Sequence, residues 1–263
     1  MAEAKIGAVC EAIVSAHRII IKNGYTEEEM LANKVASSPN KSVSAKEIPS
    51  FECHIGTDES GKGDYFGPLV VAGVYITKAQ EKQLALLGVR DSKNNSDNKN
   101  KLLATQIIET LGKNSISIVC IGPERYNTLY NEMGNNLNKV LGWGHARVME
   151  NLLSINSCEN AIADQFGDET VIKGALMKKG KSLNLIQTPK AERDIGVAAA
   201  SILARARFLD ELDKIGRTLG VTLSKGVSPV VESIAKSIYE SGGIDKLKQY
   251  VKIHFKTTQK IMG

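Results

Sequence analysis

Aromatic side chains are scarce in this 263-residue chain: seven Tyr, five Phe and one Trp, 5% of the total. That leaves no evident row of rings on which successive nucleic-acid bases could stack. Cysteine is rarer still. Cys10, Cys53, Cys120 and Cys158 stand far apart, and none forms a Cys-x-x-Cys pair, which argues against a zinc cluster and against a disulfide framework. The better reading is buried free thiols in a reducing, cytoplasmic compartment. The four histidines, His17, His54, His145 and His254, show no metal-binding spacing. His145 and His254 read as packing or hydrogen-bonding residues. No apolar run approaches the roughly 18 residues that a membrane span needs. Glu3 and Glu11 interrupt the apolar N-terminus, making it a poor signal peptide.

What remains is ordinary for a folded domain: 42% hydrophobic and 24% charged residues. The net charge of +5 leans weakly towards a polyanionic partner. Residues 1–35 carry apolar positions at helical spacing, among them Ile6, Val9, Cys10, Ile13 and Val14. Residues 36–50 are polar, hold two prolines and read as a linker. From 51 to 263 the pattern changes to a main domain. Strand-like stretches fall at 51–58, 67–76, 115–122, 160–164 and 182–188. Helical stretches fall near 79–87, 97–111, 137–154 and 191–215, with Pro123 placed to open another. Three strands followed by alternating helix and strand suggest an α/β three-layer domain with a mixed sheet.

One stretch carries chemistry. "GTDESGKGDYFGP", residues 56–68, nearly spells a phosphate-binding P-loop. However, Gly63 stands where that loop needs Ser or Thr, and the following "LVVAGVYI" is a strand where a helix is required. Asp58 and Glu59 would also repel a triphosphate. Two acids at the end of a strand instead suit a hard divalent cation bound through oxygen. Gly61 and Gly63 let backbone approach a ligand, and Lys62 supplies a point charge for a phosphate. A plain hairpin turn is the competing account of the same residues. Asp64 reads as a turn residue or a hydrogen-bond partner of the loop.

"GTDESGKGDYFGPLVVAGV" resembles the first signature of the type 2 ribonucleases H, and its Gly-Lys-Gly form resembles the ribonuclease HIII group. Further likenesses follow in order: "RDSK" (90–93), "GWGHARVMENLL" (142–153), "IADQF" (162–166), "KAERDIGVAAASILARA" (190–206), "LSKGVS" (223–228) and "KIHFKTT" (252–258). Together they cover roughly residues 52–260. The resemblance implies a ribonuclease H-like fold, a five-stranded mixed sheet flanked by helices. It implies an endonuclease that cuts the RNA strand of an RNA/DNA hybrid with Mg²⁺ or Mn²⁺, leaving 5′-phosphate and 3′-hydroxyl ends.

Carried over residue by residue, the metal-binding and catalytic acids are Asp58, Glu59, Asp164 and Glu192. Gly61, Lys62, Gly63, Ser92 and Lys93 contact the substrate. Four carboxylates converging from three separate elements are what two hard cations would require. Glu192 and Asp194 both compete for the fourth position, and both read as residues of the long helix's first turn, where acids are favoured in any case. The basic tail from Ile244, with Lys246, Lys248, Lys252, Lys256 and Lys260, reads either as a nucleic-acid contact or as a solvated helix face. No membrane and no obligate protein partner is implied, and a monomer is expected. The group usually has an N-terminal domain of sheet-plus-helix type. Residues 1–50 are short and helical by comparison, a departure from that pattern.

Overall fold

The computed structural model describes residues 48–90, 95–168 and 170–263. The expected helices within 1–35, most of the 36–50 linker, and Ser92 and Lys93 lie outside the described residues. Five strands form one sheet: β1 (Cys53–Ser60), β2 (Leu69–Thr77), β3 (Ile116–Ile121), β4 (Asn160–Asp164) and β5 (Asn184–Thr188). Their order is β3-β2-β1-β4-β5. β1 runs antiparallel to β2, β2 antiparallel to β3, and β1, β4 and β5 are mutually parallel. This is the mixed five-stranded sheet expected from the sequence.

The helices are α1 (Lys78–Leu86), α2 (Asp97–Leu111), α3 (Pro123–Glu132), α4 (Leu137–Leu153), α5 (Thr170–Ala175), α6 (Ile195–Leu219), α7 (Pro229–Leu247) and α8 (Lys256–Met262). Their starts are written in cap residues. Thr77 accepts from the Gln80 amide while the Gln80 side chain accepts from the Thr77 amide, a reciprocal box that opens α1. Ser96, Asn136 and Ser228 cap α2, α4 and α7. Pro123 and Pro229 occupy the first turn of α3 and α7, where a missing N–H costs nothing.

Strand alternation sorts the core into two layers. On β2, Val70, Ala72, Val74 and Ile76 pack with α6, and Leu84, Leu103 and Ile107 join them from α1 and α2. Val71 faces the other way, towards Val148, Met149 and Leu152 of α4. Burying each of the Val, Leu, Ile and Met side chains contributes about 1.5–3 kcal/mol. The same alternation divides β1. Ile55 joins the α4 layer. Gly56 faces α6, and a Cβ there would lie 2.2 Å from the Gly196 backbone. Two glycines thus bring α6 flush against β1, which positions everything that follows.

The start of the long helix differs from the sequence reading. The long helix does not begin at 191. Ala191–Arg193 is a separate 3₁₀ turn entered through Lys190 at φ 58°, and α6 starts at Ile195 with Asp194 as its N-cap. Glu192 therefore belongs to the turn, not to the helix.

Candidate active site

β1 ends in Asp58-Glu59-Ser60, and β4, its parallel neighbour, ends in Asp164. Thr57 pairs with Ala163, so the next step along both strands sets Asp58 beside Asp164. With Glu59 they open onto a cleft of about 430 Å³, whose wall includes Gly61, Lys62 and Gly63. Six of the residues singled out from the sequence thus meet at one place.

Each acid is held. Asp58 Oδ1 accepts from the Glu59 amide at 2.8 Å, and its carboxylate also takes a hydrogen bond from Ser201 of α6. Glu59 Oε1 accepts from Lys62 Nζ at 3.0 Å. Its Oε2 lies 3.1 Å from His145 Nε2, and His145 Nδ1 lies 2.9 Å from Thr57 Oγ1. His145 is fully buried on α4 and stacks on Phe166. Asp164 Oδ1 accepts from the Ala191 amide at 3.1 Å. That bond ties the 3₁₀ turn to the site and leaves Glu192 one residue from it, although Glu192 is not part of the cleft wall. Asp194 is placed elsewhere: its carboxylate caps α6 through the Val197 amide and meets His54.

Electrostatics mark the site strongly. Burial, then the charge of Glu59 and more weakly that of Asp164, pushes the Asp58 carboxyl up to about 8. Burial would raise Glu59 as well. The hydrogen bond and charge of His145, joined by Lys62, overcome it and bring Glu59 down to about 2. A buried acid crowded by two others fits a cation: the donors are all oxygen, as Mg²⁺ and Mn²⁺ prefer, and positive charge would relieve the repulsion.

The loop between β1 and β2 is braced from a distance. Gly61 adopts φ 91°, and a Cβ there would lie 2.2 Å from the Pro68 carbonyl oxygen, so only glycine fits. Gly63 has open space around it. Asp64 Oδ1 accepts from the Gly226 amide at 2.6 Å, joining the loop to the "LSKGVS" segment. Lys252 is wholly buried, and its Nζ donates to the carbonyl oxygens of Asp64 and Gly67 at 2.8 and 2.7 Å. This corrects the tail reading at Lys252, which is an internal clasp; Lys248, paired with Asp245, and Lys260, paired with Glu232, stay exposed as on a solvated face.

Several wall residues escaped the sequence reading. Asn95, Asp97, Ser201, Arg205 and Lys225 all line the cleft. Asp97 holds Lys225 at 2.7 Å and Arg205 at 3.4 Å, so cations cluster beside the acids. The only sequence signal for Ser201, Arg205 and Lys225 was membership of longer motifs such as "LSKGVS"; Asn95 and Asp97 had none. The thiols of Cys53, Cys120 and Cys158 are free, as expected, but only partly buried.

This sheet, with acids at the ends of its two central parallel strands, defines a ribonuclease H-like, metal-dependent nuclease. The chain belongs to the ribonuclease HII family, whose model, described as Ribonuclease HII, matches residues 55–258. It is 42% identical over 241 residues to the ribonuclease HIII of Protochlamydia amoebophila, covering 91% of this chain and 76% of that one. With the ribonuclease HIII of Chlamydia caviae it shares 42% over 210 residues, covering 79% and 69%. Among solved structures, Bst-RNase HIII in complex with Mn²⁺ superposes with a TM-score of 0.73 at 29% identity, covering 91% of this chain and 81% of that one. The RNase HII of Archaeoglobus fulgidus, solved with PCNA, gives 0.65 at 27% identity, covering 80% and 97%.

Proposed function

We propose that this chain is an endonuclease that hydrolyses the RNA strand of RNA/DNA hybrids, leaving 5′-phosphate and 3′-hydroxyl ends. The observation that carries the reading is the convergence of Asp58, Glu59 and Asp164 on one cleft walled by the Gly-Lys-Gly turn. The ribonuclease HIII relatives support the choice of substrate, and the Mn²⁺ complex of Bst-RNase HIII supports dependence on a divalent cation.

Asp58, Glu59 and Asp164 would hold Mg²⁺ or Mn²⁺, with Glu192 as the fourth acid, reaching in from the turn bonded to Asp164. Bound there, the cations would activate the attacking water and stabilise the leaving oxygen. The chain's own residues do the rest. Ser201 and the Glu59 amide fix the Asp58 carboxylate. His145 and Lys62 keep Glu59 ionised and oriented. Lys62 sits 44% exposed at the rim, where it can exchange Glu59 for a phosphate oxygen. The backbone of Gly61, Lys62 and Gly63 lies where it can read a 2′-hydroxyl, the group that separates RNA from DNA. Ser92 and Lys93 are further phosphate contacts on the strength of the "RDSK" motif alone. Arg205 and Lys225 add positive charge for the backbone of the hybrid.

No helix among the described residues is long and apolar enough to cross a membrane. We place the enzyme in the cytoplasm on the grounds of its family and its free thiols, and take it to act as a monomer.

The test is cleavage, with Mg²⁺ and separately with Mn²⁺, of an all-RNA/DNA hybrid, a DNA duplex with one embedded ribonucleotide, and single-stranded RNA. Multiple cuts in the hybrid alone are expected. A clean nick at the lone ribonucleotide would assign ribonuclease HII-type activity. Absence of metal-dependent cleavage on every substrate would overturn the enzyme reading.

A further inference from the structure

A second cluster of ligand-type side chains lies on the α6 face of β1, four residues before Asp58. His54 is 1% exposed. Its Nε2 lies 3.0 Å from Asp194 Oδ1, and its Nδ1 lies 3.5 Å from Glu81 Oε1 on α1. One donor atom from each of the three residues falls within 4.8 Å of the others. The Asp194 contact has the geometry of a hydrogen bond, which an Nε2–H would donate. Nδ1 is buried without a hydrogen-bond partner and faces the Glu81 carboxylate. Two electron-rich atoms facing each other in a buried site repel unless something positive lies between them.

We propose that His54 Nδ1 and the Glu81 carboxylate bind a divalent cation of the zinc class, with Asp194 fixing the imidazole from behind. Three observations on the page favour it. First, ligands at about 2.0–2.2 Å from a tetrahedral zinc stand roughly 3.3–3.6 Å apart, which matches the Nδ1–Oε1 separation better than a hydrogen bond does. Second, metal-ligating histidines commonly donate their other N–H to a carboxylate, the arrangement Asp194 provides. Third, the cluster opens on a cavity bordered by Pro49, Ser50, Phe51 and Arg193, which leaves room for the water ligands that two protein ligands require. One nitrogen and one carboxylate select zinc, cobalt or nickel over Mg²⁺, which prefers oxygen alone. Such an ion would fasten β1, α1 and the start of α6 together at one point. It would be separate from the carboxylates of the cleft and independent of the nuclease reading.

The experiment is isothermal titration of the full chain with Zn²⁺, with Co²⁺ absorption as a second readout. Asp58→Asn/Asp164→Asn is used as the background to silence the cleft. One equivalent of Zn²⁺ should bind, a visible Co²⁺ ligand-field band should appear, and Zn²⁺ should raise the melting temperature. Glu81→Gln and His54→Gln should each weaken Zn²⁺ binding at least tenfold and abolish the band. Glu81 is partly exposed on α1, so its substitution does not endanger folding. In the otherwise unmodified chain, Glu81→Gln should leave Mg²⁺-dependent hybrid cleavage intact, which separates this site from the catalytic one. Zn²⁺ affinity unchanged in both variants, or no heat and no Co²⁺ band at millimolar metal, would overturn the proposal.

Discussion

His145 Nε2 stands 3.1 Å from Glu59 Oε2, while the other nitrogen of the same ring stands 2.9 Å from Thr57 Oγ1 two residues back on the strand. One buried ring thus grips β1 at alternate positions, both on the α4 face, and sets where the Glu59 carboxylate points. Outer partners of metal-binding carboxylates and histidines typically account for 10–100-fold in metal affinity or activity. His145→Ala should therefore lower hybrid cleavage by roughly that factor and raise the Mg²⁺ concentration needed for half-maximal rate. His145→Gln, which keeps one donor, should recover part of the loss. A rate that falls with no change in the Mg²⁺ requirement would contradict this role.

Asp58 carries a pH signature. Its folded-state value of about 8 lies above the ordinary 3.8. Between those values the folded chain holds a proton that the unfolded chain releases. Without metal, stability should therefore fall as pH rises from about 4 to about 8. Asp58→Asn removes that dependence. In EDTA at pH 8 the variant should melt higher than the parent, and the gap should narrow at pH 5 and close below pH 4. The same substitution should cost cleavage about 100-fold or more, beyond what an outer partner costs. Activity and stability thus move in opposite directions, which thermal melts and a hybrid cleavage assay can check together.

Lys252 has the opposite sign. Burial lowers its folded value to about 7 from 10.5, so the unfolded chain holds the extra proton between those limits. Its contribution to stability is complete above the unfolded value and is lost as pH falls from 10.5 to 7. The stability difference between the parent and Lys252→Met should grow with pH across that window, by up to about 1.4 kcal/mol per pH unit. Urea unfolding of both chains at pH 7 and pH 9 measures it. Lys252→Met should also slow cleavage, because the carbonyls of Asp64 and Gly67 lose the donor that holds their loop.

The two glycines of the Gly-Lys-Gly turn should separate fold from function. At Gly61 a Cβ would strike the Pro68 carbonyl oxygen in a left-handed conformation, so Gly61→Ala should lower both melting temperature and activity. At Gly63 a Cβ meets nothing. Gly63→Ala should keep the parent's melting temperature, and any rise in KM for the hybrid would then report substrate approaching this backbone. Unchanged kinetics in Gly63→Ala would remove Gly63 from the substrate contacts.

Much of this arrangement was legible in the sequence. Helix α2 spans 97–111 as its apolar spacing implies. The five strands fall within three residues of their expected ends because alternation and turn residues agree. Asp58 and Glu59 announced themselves as adjacent acids at a strand's end. What stayed hidden depends on three-dimensional context. From sequence, Glu192 and Asp194 look alike, and only the kink at Lys190 shows that Asp194 caps α6 while Glu192 lies in the preceding 3₁₀ turn. Lys252, one lysine in a lysine-rich tail, gave no hint of burial. Arg205 and Lys225 meet Asp97 across more than a hundred residues, a distance that no local pattern spans.

That clasp has a temporal consequence. The turn that walls the active site is fastened by a lysine 185 residues further along. A ribosome making this chain completes the sheet well before residue 252 emerges, and until then the Gly-Lys-Gly loop lacks its anchor. The cleft is therefore assembled among the last parts of the molecule, and a partly synthesised chain would be a poor nuclease even with every candidate acid already made.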